Sequence, residues 1–246
     1  PCANGLQPNP NNGYTVDNPR TGTYASYLTY NVGYYGVYGV AIYDPSDLGL
    51  EIGKPTWITH LAYRFRAVQA FNPTFYIGTV SYSTTQFPST STTYYRDYMT
   101  NYRKVYERPA SYIQISSGSY YYNNSASDNK WYTFKLDEPY YWDGQGKIVV
   151  GCYNYGANPS YTGSNYSEVY AYTPSEGSYS YRHIWRGEHR FAYCDPESYN
   201  FGFTNNNWST YSTVVPDLKL TIADQCIPCS TATNLQVTST TSYTAT

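Results

Sequence analysis

Residues 131–154 (WYTFKLDEPYYWDGQGKIVVGCYN) leave the chain little choice of fold. Tyr132, Phe134 and Leu136 fall on alternate positions and so share one face of a strand, while Thr133, Lys135 and Asp137 take the other. Pro139 lacks a backbone donor and is expected to end the ladder. Asp143-Gly144 with Gly146 then supplies residues that accept positive φ in a tight turn. Ile148-Val149-Val150-Gly151-Cys152-Tyr153 reads as a second strand, apolar on both faces, as a strand buried between two layers must be. The pair predicts the centre of an all-β, two-sheet antiparallel β-sandwich of jelly-roll-like form.

Composition supports this reading and narrows the function classes. Among 246 residues there are 35 Tyr, 8 Phe and 5 Trp but one Met, and aromatic side chains fit a pleated surface better than a helix. The surplus Tyr either fills the core and coats outer strand faces, or forms an interface or a sugar-stacking platform. The formal net charge of −2 gives no electrostatic basis for binding nucleic acid or an anionic membrane. No apolar run has the length of a membrane helix, so membrane insertion is not expected. Asn-x-Ser sequons at Asn123, Asn165 and Asn207 are glycosylation candidates and suit an extracellular or cell-surface protein. A chain opening at Pro1 without Met is expected to be a processed product or a segment of something longer.

Residues 1–23 are rich in Pro, Asn and Gly without a period, and read as an irregular arm or linker. The sandwich is expected over 24–224. Strands are predicted at 24–43 (one or two, broken by glycines), 57–65, 75–80, 104–107, 113–115, 168–172, 182–186 and 214–222, with a long loop carrying one helical turn over 83–102. In 57–65 the alternation puts Trp57, Thr59, Leu61, Tyr63 and Phe65 on one face. Residues 225–246 become Thr-rich after Cys226-Ile227-Pro228-Cys229, and read as a linker with the first strand of another module or an exchanged tail.

The order of these features resembles a β-sandwich module of large secreted and cell-surface proteins of Bacteroidota. The resemblance rests on Tyr38-Gly39-Val40-Ala41-Ile42-Tyr43, Asp47-Leu48-Gly49, the strand opening Ile58-Thr59, Phe75-Tyr76-Ile77-Gly78 with Phe87, and Val105-Tyr106. It continues through Trp131 to Leu136, Pro139-Tyr140, Trp142-Asp143-Gly144 and Ile148-Val149-Val150. It covers residues 24–224, and 229–246 is similar to the start of a fibronectin type III module. Such modules belong to adhesins, filaments and the non-catalytic ends of secreted hydrolases, so the resemblance implies no catalytic residue.

The residues support chemistry poorly. His183 and His189 lie six apart, which fits neither helical zinc-ligand spacing nor a pair on one strand face. The Cys226/Cys229 spacing is that of a redox pair, yet it falls among strands instead of at a helix start. Cys2, Cys152, Cys194, Cys226 and Cys229 are therefore read as disulfide candidates, with Cys2 expected to meet a cysteine of a neighbouring subunit or module. The carboxylate pairs Asp137/Glu138 and Asp195/Glu197 are read as solvated strand ends, not glycosidase acids. No cofactor and no catalytic metal are expected; a structural Ca²⁺ on Asp44 and Asp47, or on Asp143, is the one metal the loops suggest. Two readings follow. The first is a non-catalytic structural or adhesive module that self-associates or packs on neighbouring modules. The alternative is a carbohydrate-binding module, with Trp208, Asn206 and Trp185 as ligand-binding candidates.

Overall fold

The computed structural model describes residues 7–8, 14–16, 24–32, 36–68, 73–88, 95–107, 131–155, 164–177, 179, 182–188, 209–223 and 226–227. Its strands in chain order are β1 (Gln7–Pro8), β2 (Tyr14–Val16), β3 (Tyr24–Val32), β4 (Gly36–Tyr43), β5 (Thr56–Val68), β6 (Pro73–Val80), β7 (Thr100–Glu107) and β8 (Trp131–Trp142). They continue with β9 (Lys147–Tyr155), β10 (Ser164–Tyr172), β11 (His183–Glu188), β12 (Ser209–Ser212), β13 (Val215–Pro216), β14 (Leu218–Ala223) and β15 (Cys226–Ile227). Single 3-10 turns at Pro45–Leu48 and Tyr95–Tyr98 are the helical elements among the described residues.

Two antiparallel sheets form the sandwich. One runs β12-β11-β4-β9-β6-β7. The other is organised on β5, which pairs β14 and β8 along its first half and β10 at its end, with β2, β3 and β13 added outside. The arm segment Tyr14–Val16 joins this second sheet by pairing with β14. β1 and β15 make a separate two-residue ladder in which Pro8 faces Cys226.

Between the sheets lies one apolar core. β5 gives Ile58, Leu61, Tyr63 and Phe65, β8 gives Phe134, Leu136, Tyr140 and Trp142, and β14 gives Leu218, Leu220 and Ile222. The opposing sheet answers with Tyr43, Phe75, Ile77, Ile148, Val150 and Cys152. Phe75 and Phe134 meet across the interface with ring centroids 4.9 Å apart.

Two expectations change here for one reason. Thr59 is an extra residue of β5 against β14, where Thr221↔His60 is followed by Ile222↔Ile58, and β8 slips at the same place, between Ile58↔Tyr140 and His60↔Lys135. A slip of this kind re-aims the side chains on either side of it. Ile58 therefore fills the core, Trp57 is half-buried, and the buried Thr59 donates its hydroxyl to the Thr221 carbonyl. Pro139 does not end the strand. It sits in the slipped segment, where its missing donor costs no ladder bond, and β8 continues to Trp142.

The six-stranded sheet is packed on both faces, as the apolar run 148–153 requires. Tyr38, Val40, Ile42, Tyr76, Val80, Val149, Tyr153 and Ile184 form a second cluster with Phe87 and Met99. Phe87 and Met99 thus bring part of the cover for the face that points away from the main core. Tyr102 completes it, stacking on Tyr76 at 5.4 Å and lying over Gly78 and Gly151, where a Cβ on either glycine would strike it. The predicted edge strand 104–107 is longer than expected, beginning at Thr100.

Candidate functional site

Aspartate and glycine build the β8–β9 turn, and three hydrogen bonds fix it. Trp142 Nε1 donates to the Gln145 carbonyl at 3.0 Å, the Gln145 N–H donates to Asp143 Oδ1 at 2.8 Å, and the Gly53 N–H donates to the Gly144 carbonyl at 2.9 Å. Gly144 and Gly146 have φ of 81° and 71°, and side chains there would also run into Lys54 N and the Val80 carbonyl. The turn is wedged between the 53–54 loop and the end of β6, so Asp143 projects from a fixed backbone.

Beside this turn a hollow of about 230 Å³ is lined by Thr79, Asn101, Tyr140, Tyr141 and Asp143. Its far wall comes from a register shift between β6 and β7, at Ile77/Thr79, and there Asn101 holds the left-handed φ of 53°. Asparagine tolerates that conformation better than most residues, and such outliers concentrate at functional sites. Thr79, whose hydroxyl donates to the Thr100 carbonyl at 3.4 Å, lines the hollow together with the buried Tyr140. Burial pushes the Tyr140 pKa up to about 12, so it stays a neutral donor even though Arg103 lies 5.5 Å from the ring. The half-buried Tyr141 stands at the side, its ring centroid 5.1 Å from that of Trp57. Arg103 is held at the rim by the Pro139 carbonyl at 3.1 Å and by Glu138 at 3.7 Å.

A second, larger hollow of about 400 Å³ is lined by Gly49, Leu50, Glu51, Gly53, Lys54, Pro55, Thr56 and Ile222. Among the described residues its lining includes no aromatic ring, and its two charged residues pair with each other at 2.5 Å.

At the same end of β4 and β9 the structure buries an ion cluster. Arg182 is fully buried; its Nη2 bonds Asp44 Oδ2 at 2.5 Å, and its Nη1 reaches Glu176 Oε2 and the Thr85 carbonyl, each at 3.0 Å. Lys147, also fully buried, bonds Glu176 Oε2 at 2.5 Å and the Thr84 carbonyl at 2.9 Å, with Asp44 Oδ1 at 3.6 Å. Burial alone would raise the Glu176 pKa, but its bonds to Lys147 and Arg182 outweigh this and hold it below the ordinary value. Two cations face two carboxylates, with Asp44 Oδ1 left without a hydrogen bond among the described residues, and the carbonyls of Thr84 and Thr85 tie the covering segment to the sandwich. Asp44, suggested for Ca²⁺, thus already has protein cations on it. Asp47 accepts from the Ser175 N–H at 3.1 Å, and among the described residues no group of three or more His, Cys, Asp or Glu could hold a metal.

The predicted site residues fare unevenly. Trp208, Asn206 and Asn207 lie outside the described residues, as do Asn123, Cys2, Cys194, Cys229, His189, Asp195 and Glu197. Trp185 is on β11, in register with Gly39 and Thr210, and Asn165 is on β10 opposite Asn31. Cys152 is not in a disulfide. It is a free thiol buried in the main core, where desolvation drives its pKa far up and keeps it protonated. His183 is buried and neutral, its pKa lowered to about 3 by desolvation. Of the carboxylate pair Asp137/Glu138, the first caps the Glu107 N–H at 2.9 Å and the second faces Arg103. The hollow at Asn101 escaped the sequence, although Asp143 and Trp57 beside it were both legible. Comparison with protein-family models, with curated proteins and with solved structures finds no match.

Proposed function

We propose that this chain is a non-catalytic adhesive module of an extracellular or surface protein, displayed by a longer chain or assembly. The observation that carries the reading is the antiparallel β1–β15 ladder, in which Gln7 faces Ile227 and Pro8 faces Cys226. These two segments lie side by side, an arrangement that suits a module hung as a pendant better than one strung in line. A pendant adds little to length; what it offers is a surface. The doubly packed six-stranded sheet and the ion cluster that ties down its cover keep that surface constant in shape, which lowers the ordering cost of contact. The resemblance to modules of secreted Bacteroidota proteins favours the same reading.

Beads coated with the folded chain should be retained under flow on monolayers of cultured cells or on a glycoprotein film. Beads coated with chain unfolded in urea should wash off. Equal retention of the two, or retention of neither on any surface, would remove adhesion as the function.

A further inference from the structure

We propose that the hollow between Asn101, Tyr141 and Asp143 binds one ring of a neutral pyranose within a glycan. This names a ligand for the adhesive reading and rests on that reading for its purpose, though the binding itself can be measured on the isolated chain.

Size is the first argument. About 230 Å³ falls below the roughly 300–1,000 Å³ of sites for drug-sized ligands, leaving room for a single ring. Chemistry is the second. A pyranose carries an apolar C–H face and a belt of hydroxyls that both donate and accept. The hollow offers the matching set: Tyr140 and Tyr141 as aromatic lining, the Asp143 carboxylate as acceptor, the Asn101 amide as donor and acceptor, and the neutral Tyr140 phenol beside Thr79. Among the described residues nothing bonds the Asn101 amide, and Asp143 uses only Oδ1, toward Gln145. Those groups remain for a ligand.

Preorganisation is the third argument. Asp143 stands on the wedged turn, Asn101 is fixed at a register shift, and Tyr141 is backed by the Trp57 ring. Charge then selects among sugars. Among the described residues the nearby cation is Arg103, engaged by Pro139 and Glu138, while Asp143 repels carboxylates and sulfates, so a neutral ring fits and an acidic one does not. A lone carboxylate with a guanidinium close by is also a poor cradle for Ca²⁺, which takes about 6–8 oxygen ligands.

The test is saturation-transfer NMR on the full chain with the methyl glycosides of glucose, mannose and galactose, followed by titration of ¹⁵N-labelled chain for affinity. At least one glycoside should receive saturation at its ring protons and shift the amides of Asn101 and Asp143. Asn101→Gly removes the amide while suiting φ of 53°, and Asp143→Asn keeps the acceptor that the turn needs. Each should weaken binding at least tenfold with unchanged melting temperature, whereas Lys54→Ala, on the other hollow, should leave it unaltered. No transfer to any glycoside, equal affinity in both variants, or a response to Ca²⁺ alone would overturn the assignment. Bead adhesion that persists without sugar binding would sink this site but not the adhesive role. Sugar binding without bead adhesion would do the reverse.

Discussion

Gly151→Ala is the sharpest probe of how the outer face of the six-stranded sheet is covered. Gly151 lies in β9 with ordinary strand backbone, so a methyl group there should stabilise by about 0.4–1 kcal/mol through the unfolded chain if it had room. It has none. An added Cβ would fall on the Tyr102 hydroxyl, with the ring carbon Cζ next at 3.1 Å. Overpacking of this kind costs about 1–3 kcal/mol, so the sign reverses and the variant is destabilised. Tyr102→Phe deletes the colliding atom at a cost of about 1 kcal/mol for a lost hydroxyl contact. In the double variant the methyl meets only Cζ, at a distance that a shift of a few tenths of an ångström accommodates. The double variant should therefore be more stable than Gly151→Ala alone, with a favourable coupling of about 1–2 kcal/mol. Urea denaturation of the four proteins, with m held constant, measures this directly. Additive effects within about 0.5 kcal/mol, or a stabilising Gly151→Ala, would show that Tyr102 does not lie over Gly151.

Further predictions follow from the same packing. Phe87→Ala, which uncovers the second apolar cluster, should cost about 3–5 kcal/mol by denaturant titration, and a cost below 1 would mean the 81–88 segment does not cover the sheet. Asp44→Ala strands two buried cations on Glu176 and should cost about 3–5 kcal/mol; Glu51→Ala breaks only an exposed pair and should stay within about 0.5. His183 has a folded pKa of about 3 against about 6.5 in the unfolded chain, so the unfolded state binds the extra proton and stability falls as pH drops through that window. Compared with His183→Gln, the parent chain should lose about 1.4 kcal/mol more per pH unit between pH 6 and 4, and parallel pH profiles would refute this. Glu176 acts in the same direction at lower pH. Its depressed pKa means its contribution is complete above the unfolded glutamate value and is lost on acidification through the folded one.

Much of the fold was legible because side-chain period needs only local sequence. Tyr132, Phe134 and Leu136 alternate inward, Val149 and Val150 face opposite apolar layers, and the Asp143–Gly146 turn forms where its residues predict. The slip at Thr59 could not be read this way, since it arises from how β5 fits β14 and β8, and it moved Ile58 into the core at the expense of Trp57. Nothing local in the sequence marks Lys147 or Arg182 for burial. Their burial depends on carboxylates from Asp44 and Glu176 that only the folded chain brings within reach.

The candidate hollow shows the same division. Asp143 in its glycine turn and an aromatic at 141 are local facts, fixed by turn chemistry and alternation. That Asn101 and Thr79 stand across from them follows from a register shift between β6 and β7 and from the two sheets closing on one core. Sequence determined which strands form and which faces are apolar, because each residue's period and turn propensity act within a few positions. Tertiary structure alone decided which polar groups meet, because convergence of residues far apart in the chain is a property of strand register and layer packing.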